Sequence, residues 1–247
     1  MPQPNLRVDA RADRVVATLD RPEVRNAIGL ELVAELHALC AQLEAAPRVL
    51  ILTGAGGVFA SGADIAQLRE RTAADARAGI NMRVFTRIAQ LPMPVIAAVD
   101  GWALGGGAEL AFAADLRIGT PRTRIGNPET GLGILAAAGA TFRLPAIVGP
   151  ARAAELLLTG RLLDAAEAVE WGILSSLHEP GALMDAAHAI ADRIVANDAL
   201  ATQYTKRALA APREAHPEIE YELQAELFER PEKRERMTAF LDRKAKR

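Results

Sequence analysis

The chain has 247 residues, half of them hydrophobic, with 29 Lys and Arg against 31 Asp and Glu. A net charge of −2 gives bulk electrostatics no grip on nucleic acid or an anionic membrane surface. Cys40 is the single cysteine, so no intramolecular disulfide can form, and no apolar run approaches the ~20 residues that span a bilayer.

This length suits one large α/β domain with a helical appendage. The opening Met-Pro-Gln-Pro-Asn-Leu-Arg-Val-Asp lacks the long apolar core of a signal peptide. A soluble cytoplasmic protein is expected. Residues 6–8 and 15–19 read as two strands of a hairpin turning at 9–13. Asn26 is the expected N-cap of a helix in which Leu32, Leu36, Leu39 and Leu43 fall at helical spacing, ended by Pro47. Residues 49–52 form a β-branched apolar run, the signature of a buried strand, broken by Thr53-Gly-Ala-Gly-Gly57.

A helix is expected from Asp64, and another carries Ile80, Val84 and Ile88 and stops at Pro92 and Pro94. Residues 95–99 are the next buried strand, Asp100-Gly101 turns the chain, and 105–114 read as a short, almost wholly apolar helix. A third strand is expected at 116–118. Helices dominate after Pro150: one at 153–158, one capped by Asp164, and long helical stretches over 183–210 and 218–243, with a short strand at 173–177 between them. Strands alternating with helices argue for a layered α/β fold. A soft boundary near residue 190 divides a core, 1–190, from a helical tail, 191–247, that is too thin to fold alone.

Two glycine-rich turns carry the chemistry. Phe59-Ala-Ser-Gly-Ala-Asp64 follows a strand and opens a helix. N–H groups at a helix start lack intrahelical partners and carry partial positive charge, so the Ala63 N–H can donate to a substrate oxygen. An ordinary tight turn capped by Asp64 explains the same residues. Asp100-Gly-Trp-Ala-Leu-Gly-Gly-Gly-Ala-Glu-Leu110 repeats the arrangement. Glycine costs about 0.5–1 kcal/mol relative to Ala in a helix, and a close backbone or ligand approach would account for three in a row. Glu109 stands one turn after Gly106, on the same face, so a donor and a carboxylate can address one ligand. Its apolar surroundings favour function over a solvated glutamate. Glu129, in Gly126-Asn-Pro-Glu-Thr-Gly-Leu-Gly133, would be unremarked in its loop but for pairing with Glu109.

Other patterns fail. Gly54-Ala-Gly-Gly-Val-Phe59 places Phe59 where a dinucleotide fingerprint needs its third glycine. Ser61 is in no Gly-x-Ser-x-Gly elbow. His37, His178, His188 and His216 are scattered outside these turns, which argues against a histidine triad or a metal site. The basic residues of 230–247 are interleaved with acids and read as a solvated helix face.

Taken together, these stretches resemble the crotonase (enoyl-CoA hydratase/isomerase) superfamily. The resemblance is carried by Arg25-Asn-Ala-Ile28, Phe59-Ala-Ser-Gly-Ala-Asp-Ile65, Pro94 to Leu110 with its glycine triplet, and Asn127-Pro-Glu-Thr-Gly-Leu-Gly133. Leu157-Leu-Thr-Gly-Arg161, Trp171-Gly172 and Met237-Thr-Ala-Phe240 continue it over nearly the whole chain.

The resemblance implies an α/β spiral of repeated ββα units, with a helical C-terminal region supporting a homotrimer or a dimer of trimers. It implies a coenzyme A thioester as substrate, no separate cofactor and no metal. It assigns Ala63 and Gly106 to an oxyanion hole, and Glu109 and Glu129 to the two acids that hydrate an enoyl thioester. Ala60, Ser61, Gly62, Asp64, Ile65 and Gly105 fall in its substrate-binding turns. Arg25 and Arg243 fall near its coenzyme A positions, and Phe228 and Phe240 near its ligand channel.

Both acids are present, which favours hydration of a 2-trans-enoyl-CoA over double-bond isomerisation of a 3-enoyl-CoA or silent acyl-CoA binding. The departure lies after Glu129, where relatives have a Pro-Gly-rich segment ending Gly-Gly-Thr-Gln-Arg-Leu. Here residues 135–138 are apolar and Phe142 replaces the Gln.

Overall fold

The computed structural model describes residues 4–245. Residues 1–3, part of the stretch read for a leader, and 246–247, at the end of the basic tail, lie outside the described residues. One compact unit runs to Asp192 and a second begins at Arg193.

The first unit starts with the expected hairpin: β1 (Leu6–Ala10) pairs antiparallel with β2 (Arg14–Leu19), Leu6 opposite Leu19. Every residue of β2 is buried, as a strand covered on both faces requires. Helix α1 (Leu30–Ala45) buries Leu32, Leu36, Leu39 and Leu43 at the predicted spacing. Its N-cap is Gly29, and Asn26 does something else. Asn26 sits at φ 55, a left-handed conformation that Asn tolerates better than most residues. Its Oδ1 accepts the Arg21 N–H, and its Nδ2 donates to Val58 O at 2.6 Å and Ala55 O at 3.0 Å. It stitches two loops together instead of starting the helix.

Strand β3 (Val49–Gly54) runs parallel to β2. Three helices follow: α2 (Ile65–Glu70), α3 (Ala73–Ala78) and α4 (Ile80–Ala89). The short α3 carries no apolar stripe for a sequence reading to detect; a Thr72–Asp75 capping box marks its start. Strand β4 (Val95–Val99) lies parallel to β3 and is wholly buried. Next come β5 (Trp102–Leu104), α5 (Gly106–Phe112), β6 (Leu116–Gly119) and β7 (Arg124–Gly126). Then come α6 (Ala140–Val148), α7 (Pro150–Thr159), β8 (Leu162–Asp164) and α8 (Ala165–Glu170).

The main sheet has the order β1-β2-β3-β4-β6, with every pair but the first parallel. A smaller sheet has the order β5-β7-β8. Residues 173–177 do not form the expected strand. They follow β6 through bonds such as Ser175 N–H to Arg117 O, but only Leu177 makes a bridge, to Gly119.

Helix α9 (Leu183–Val195) contains the division between the units. The second unit continues with α10 (Ala199–Leu209), α11 (Glu218–Phe228) and α12 (Pro231–Ala245). The long helices expected over 183–210 and 218–243 are each two. Asp198 caps the first break by accepting the Ala201 N–H. At the second, Pro231 starts a new helix, as Pro does at a first helical position.

Candidate active site

Both glycine-rich turns lead from the sheets into helices, and they meet. Asp64 caps α2, its Oδ1 accepting the Ala66 and Gln67 N–H groups. On either side of Ala63 the backbone is tied to Ile28: Gly62 O accepts Ile28 N–H at 2.8 Å, and Ile28 O accepts Asp64 N–H at 3.1 Å. The Ala63 N–H between them has no partner among the described residues. Gly106 is the first residue of α5, where an N–H has no intrahelical acceptor. A Cβ added to Gly106 would stand 3.5 Å from Ala63 N. Two free backbone donors thus border one small space.

Glycine is required here on both sides of Gly106. Gly105 adopts φ 50, and a Cβ there would lie 2.9 Å from Glu129 Oε1. A Cβ on Gly107 would meet the Ala60 carbonyl oxygen at 2.3 Å, so α5 could not pack against the turn that carries Ala60. The triplet therefore combines a turn, an open donor and a close backbone approach.

Glu109 projects from α5 and is 3 % exposed. Its Oε1 accepts the Ala138 N–H at 2.7 Å and the Ala140 N–H at 3.1 Å. Burial pushes its carboxyl up to about 7, with the Glu129 charge adding to the effect. The two N–H bonds and Arg143 oppose the shift without cancelling it. Glu129 opens a single 3-10 turn, Glu129–Leu132, and is 9 % exposed. Burial raises its carboxyl as well, against a weaker pull from Asn127. Asn127 Nδ2 donates to Glu129 Oε1 at 3.4 Å and to Gly105 O at 3.3 Å. Glu129 Oε2 is enclosed and has no hydrogen-bond partner among the described residues, which disfavours its ionised form.

Both carboxylates line one cavity of about 430 Å³. Of the residues picked out in the sequence, Ser61, Gly62, Ala63, Ile65, Gly105 and Gly106 also line it. Ala60 and Asp64 lie behind the wall, Ala60 fully buried and Asp64 capping α2. Arg25, left-handed at φ 53, gives its carbonyl to the Ser61 N–H and presents its side chain to solvent. Phe228, Phe240 and Arg243 lie on exposed faces of α11 and α12 in the second unit.

Some participants were not read from the sequence. Asn81, at the start of α4, reaches the cavity; so do Leu132, Ile134 and Leu135. The N–H groups of Ala138 and Ala140 that orient Glu109 have no side-chain signature, since any residue but Pro can supply them. Asn127 stood in a recognised motif, and its position two residues before Glu129 was the available signal. No described group of three or more His, Cys, Asp or Glu residues is arranged to hold a metal.

Comparison with known proteins identifies the family and the fold. Residues 11–247 match the family model described as enoyl-CoA hydratase/isomerase. A short-chain-enoyl-CoA hydratase from Clostridium acetobutylicum is 36% identical over 97% of this chain and 95% of its own. A crotonyl-CoA hydratase from Syntrophomonas wolfei is 34% identical over 97% of this chain and 96% of its own. Among solved structures, an enoyl-CoA hydratase from Bacillus anthracis superposes with a TM-score of 0.92 at 33% identity, covering 97% of this chain and 96% of that one. The expected crotonase fold is thereby borne out.

Proposed function

This chain belongs to the enoyl-CoA hydratase/isomerase family, and we propose that it is an enoyl-CoA hydratase, adding water to a 2-trans-enoyl-CoA to give a 3-hydroxyacyl-CoA. The observation that carries this reading is the presence of Glu109 and Glu129 in one cavity with the free N–H groups of Ala63 and Gly106.

The thioester oxygen sits between the Ala63 and Gly106 N–H groups. These donors polarise the carbonyl and stabilise the negative charge that moves onto oxygen as water attacks. Losing one donor of this kind costs about a hundredfold to a thousandfold in rate. Glu109 takes a proton from water, whose oxygen bonds to the β-carbon. Its carboxyl, raised to about 7, suits a base working near neutral pH. Glu129, held towards its neutral form by burial, gives its proton to the α-carbon. Both acids act from one side of the double bond, so the addition is syn. A proton passing from Glu109 to Glu129 resets the pair.

Coenzyme A is part of the substrate, and the reaction needs no further cofactor. Leu132, Ile134 and Leu135 form an apolar wall suited to an acyl chain. Arg25 and Arg243 are assigned to the coenzyme A moiety, and Phe228 and Phe240 to the ligand channel across a subunit contact. The exposed Phe228, Met237, Phe240 and Leu241 of the second unit support its role in assembling a homotrimer or a dimer of trimers. A reducing cytoplasm suits the single, buried Cys40. No described helix is long and apolar enough to cross a membrane.

The test is hydration of crotonyl-CoA and a chain-length series by the purified protein, with Glu109→Gln and Glu129→Gln beside it. Loss of enoyl absorbance in the wild type and its near-abolition in both variants is expected. Undiminished turnover in both variants removes the mechanism, and double-bond migration without water addition makes the protein an isomerase.

A further inference from the structure

Asn81 is out of keeping with its place in the fold. It is the second residue of α4, three and four positions before Val84 and Phe85, which are fully buried along with Ile88. Residues at this spacing share a helix face, so an apolar side chain is what packing alone would select at 81. Asn81 is instead 9 % exposed, and its Oδ1 is enclosed without a hydrogen-bond partner among the described residues. An unsatisfied buried polar atom destabilises a fold. Such a group in a folded protein calls for a reason.

The cavity supplies one. Asn81 lines it, and a Cβ placed on Gly106 would stand 3.5 Å from Asn81 Nδ2 and equally 3.5 Å from Ala63 N. An atom of a ligand at that position would lie near both the Ala63 backbone N–H and the Asn81 carboxamide. No described group hydrogen-bonds that carboxamide, and its Nδ2 already lies on the Gly106 side.

We propose that Asn81 is a third donor of the oxyanion site, its Nδ2–H joining the Ala63 and Gly106 N–H groups on the thioester oxygen. The proposal rests on the hydratase reading and deepens it. Charge on that oxygen is greatest in the enolate-like transition state. A donor aimed there stabilises the transition state more than the bound substrate, and its loss falls on kcat more than on KM. The cost at 81 falls on the enclosed Oδ1, which stays without a described partner, while the Nδ2 end of the same amide serves the site.

Asn81→Leu tests this with a side chain of similar size that suits the buried face, and Asn81→Asp keeps the shape while replacing the donor by an acceptor. For Asn81→Leu, kcat for crotonyl-CoA should fall by about a hundredfold, with KM changed by less than about threefold. Asn81→Asp should be at least as impaired. The absorption maximum of a bound aryl-enoyl thioester of coenzyme A should shift less to the red in both variants, because the carbonyl is less polarised. Asn81→Leu should melt no lower than the wild type, whereas a packing role for the amide would lower its melting temperature. Wild-type kcat and an unchanged bound spectrum in Asn81→Leu would overturn the donor role and leave the hydratase reading standing. Absence of hydration by the wild type would defeat the hydratase reading instead, and the bound spectrum would still decide whether Asn81 donates.

Discussion

The Glu109 carboxylate accepts the Ala138 backbone N–H at 2.7 Å. The apolar segment after Glu129 thus supplies the amides that orient Glu109. Glu109→Gln keeps this anchor, since an amide oxygen accepts the Ala138 and Ala140 N–H groups as a carboxylate does. The variant should fold with an unchanged melting temperature and lose about 10²–10⁴ of its hydration rate. Thermal melting and steady-state hydration of crotonyl-CoA measure the two parts separately. A melting temperature that collapses with activity would mean that Glu109 is a structural group.

The raised Glu109 carboxyl also makes a prediction about pH. Its ordinary value is 4.5, and burial followed by the Glu129 charge brings it to about 7 in the folded chain. Between these values the folded protein holds a proton that the unfolded chain releases. Stability from this group is therefore fully present below about 4.5 and is lost as pH rises through about 7. Activity moves the other way, because the base must be ionised. We expect kcat/KM to rise with pH through about 7. A profile that is flat from about pH 5 to about pH 8 is incompatible with Glu109 as the base.

Gly105 and Glu129 are linked by the absence of a side chain. A methyl at Gly105 would come within 2.9 Å of Glu129 Oε1 and would hold φ 50 against an L-residue's preference. Gly105→Ala should displace the acid and lower kcat by at least about tenfold, with a stability loss of about 1–2 kcal/mol. Urea denaturation and kcat together test it. In Gly106→Ala the added methyl meets no atom closer than 3.5 Å, so this variant should fold normally but obstruct the thioester oxygen, which a rise in KM would register.

How much of this was legible beforehand depended on what each feature is made of. Buried strands with β-branched runs, and helices with leucines at every third or fourth position, announce themselves in side chains, and β3, β4 and α1 were read that way. Strands of three residues such as β5 and β7 are too short to show an alternation. Ile173 and Leu174 are apolar because they pack in the core, which the same pair in a strand would also do. Within the site, the acids and glycines stood out because few residue types can do their work. The amide donors of 138 and 140 are invisible to any reading of side chains. Asn81 was passed over because the apolar residues around it made a complete helical stripe without it.

A residue suited to capping helices is equally suited to bridging loops, and while Gly29 caps α1, bridging is what Asn26 does. Its side chain is fully buried, binds Arg21 N–H through Oδ1, and donates to Val58 O and Ala55 O through Nδ2. Val58 leads directly into the turn that presents the free Ala63 N–H, so this amide fixes the start of the loop carrying the proposed oxyanion donor. Asn26→Ala leaves those partners without Asn26, at about 1–3 kcal/mol, and places a β-carbon at φ 55, at about 1–2 kcal/mol more. Asn26→Gly suffers the first loss and escapes the second. Urea unfolding should therefore rank wild type above Gly and Gly above Ala. Both variants should also bind crotonyl-CoA less well, because the loop carrying Ala63 is no longer tethered. If Gly and Ala proved equally stable, backbone conformation would not matter at position 26. If both matched the wild type, the amide bonds would contribute nothing to the loop.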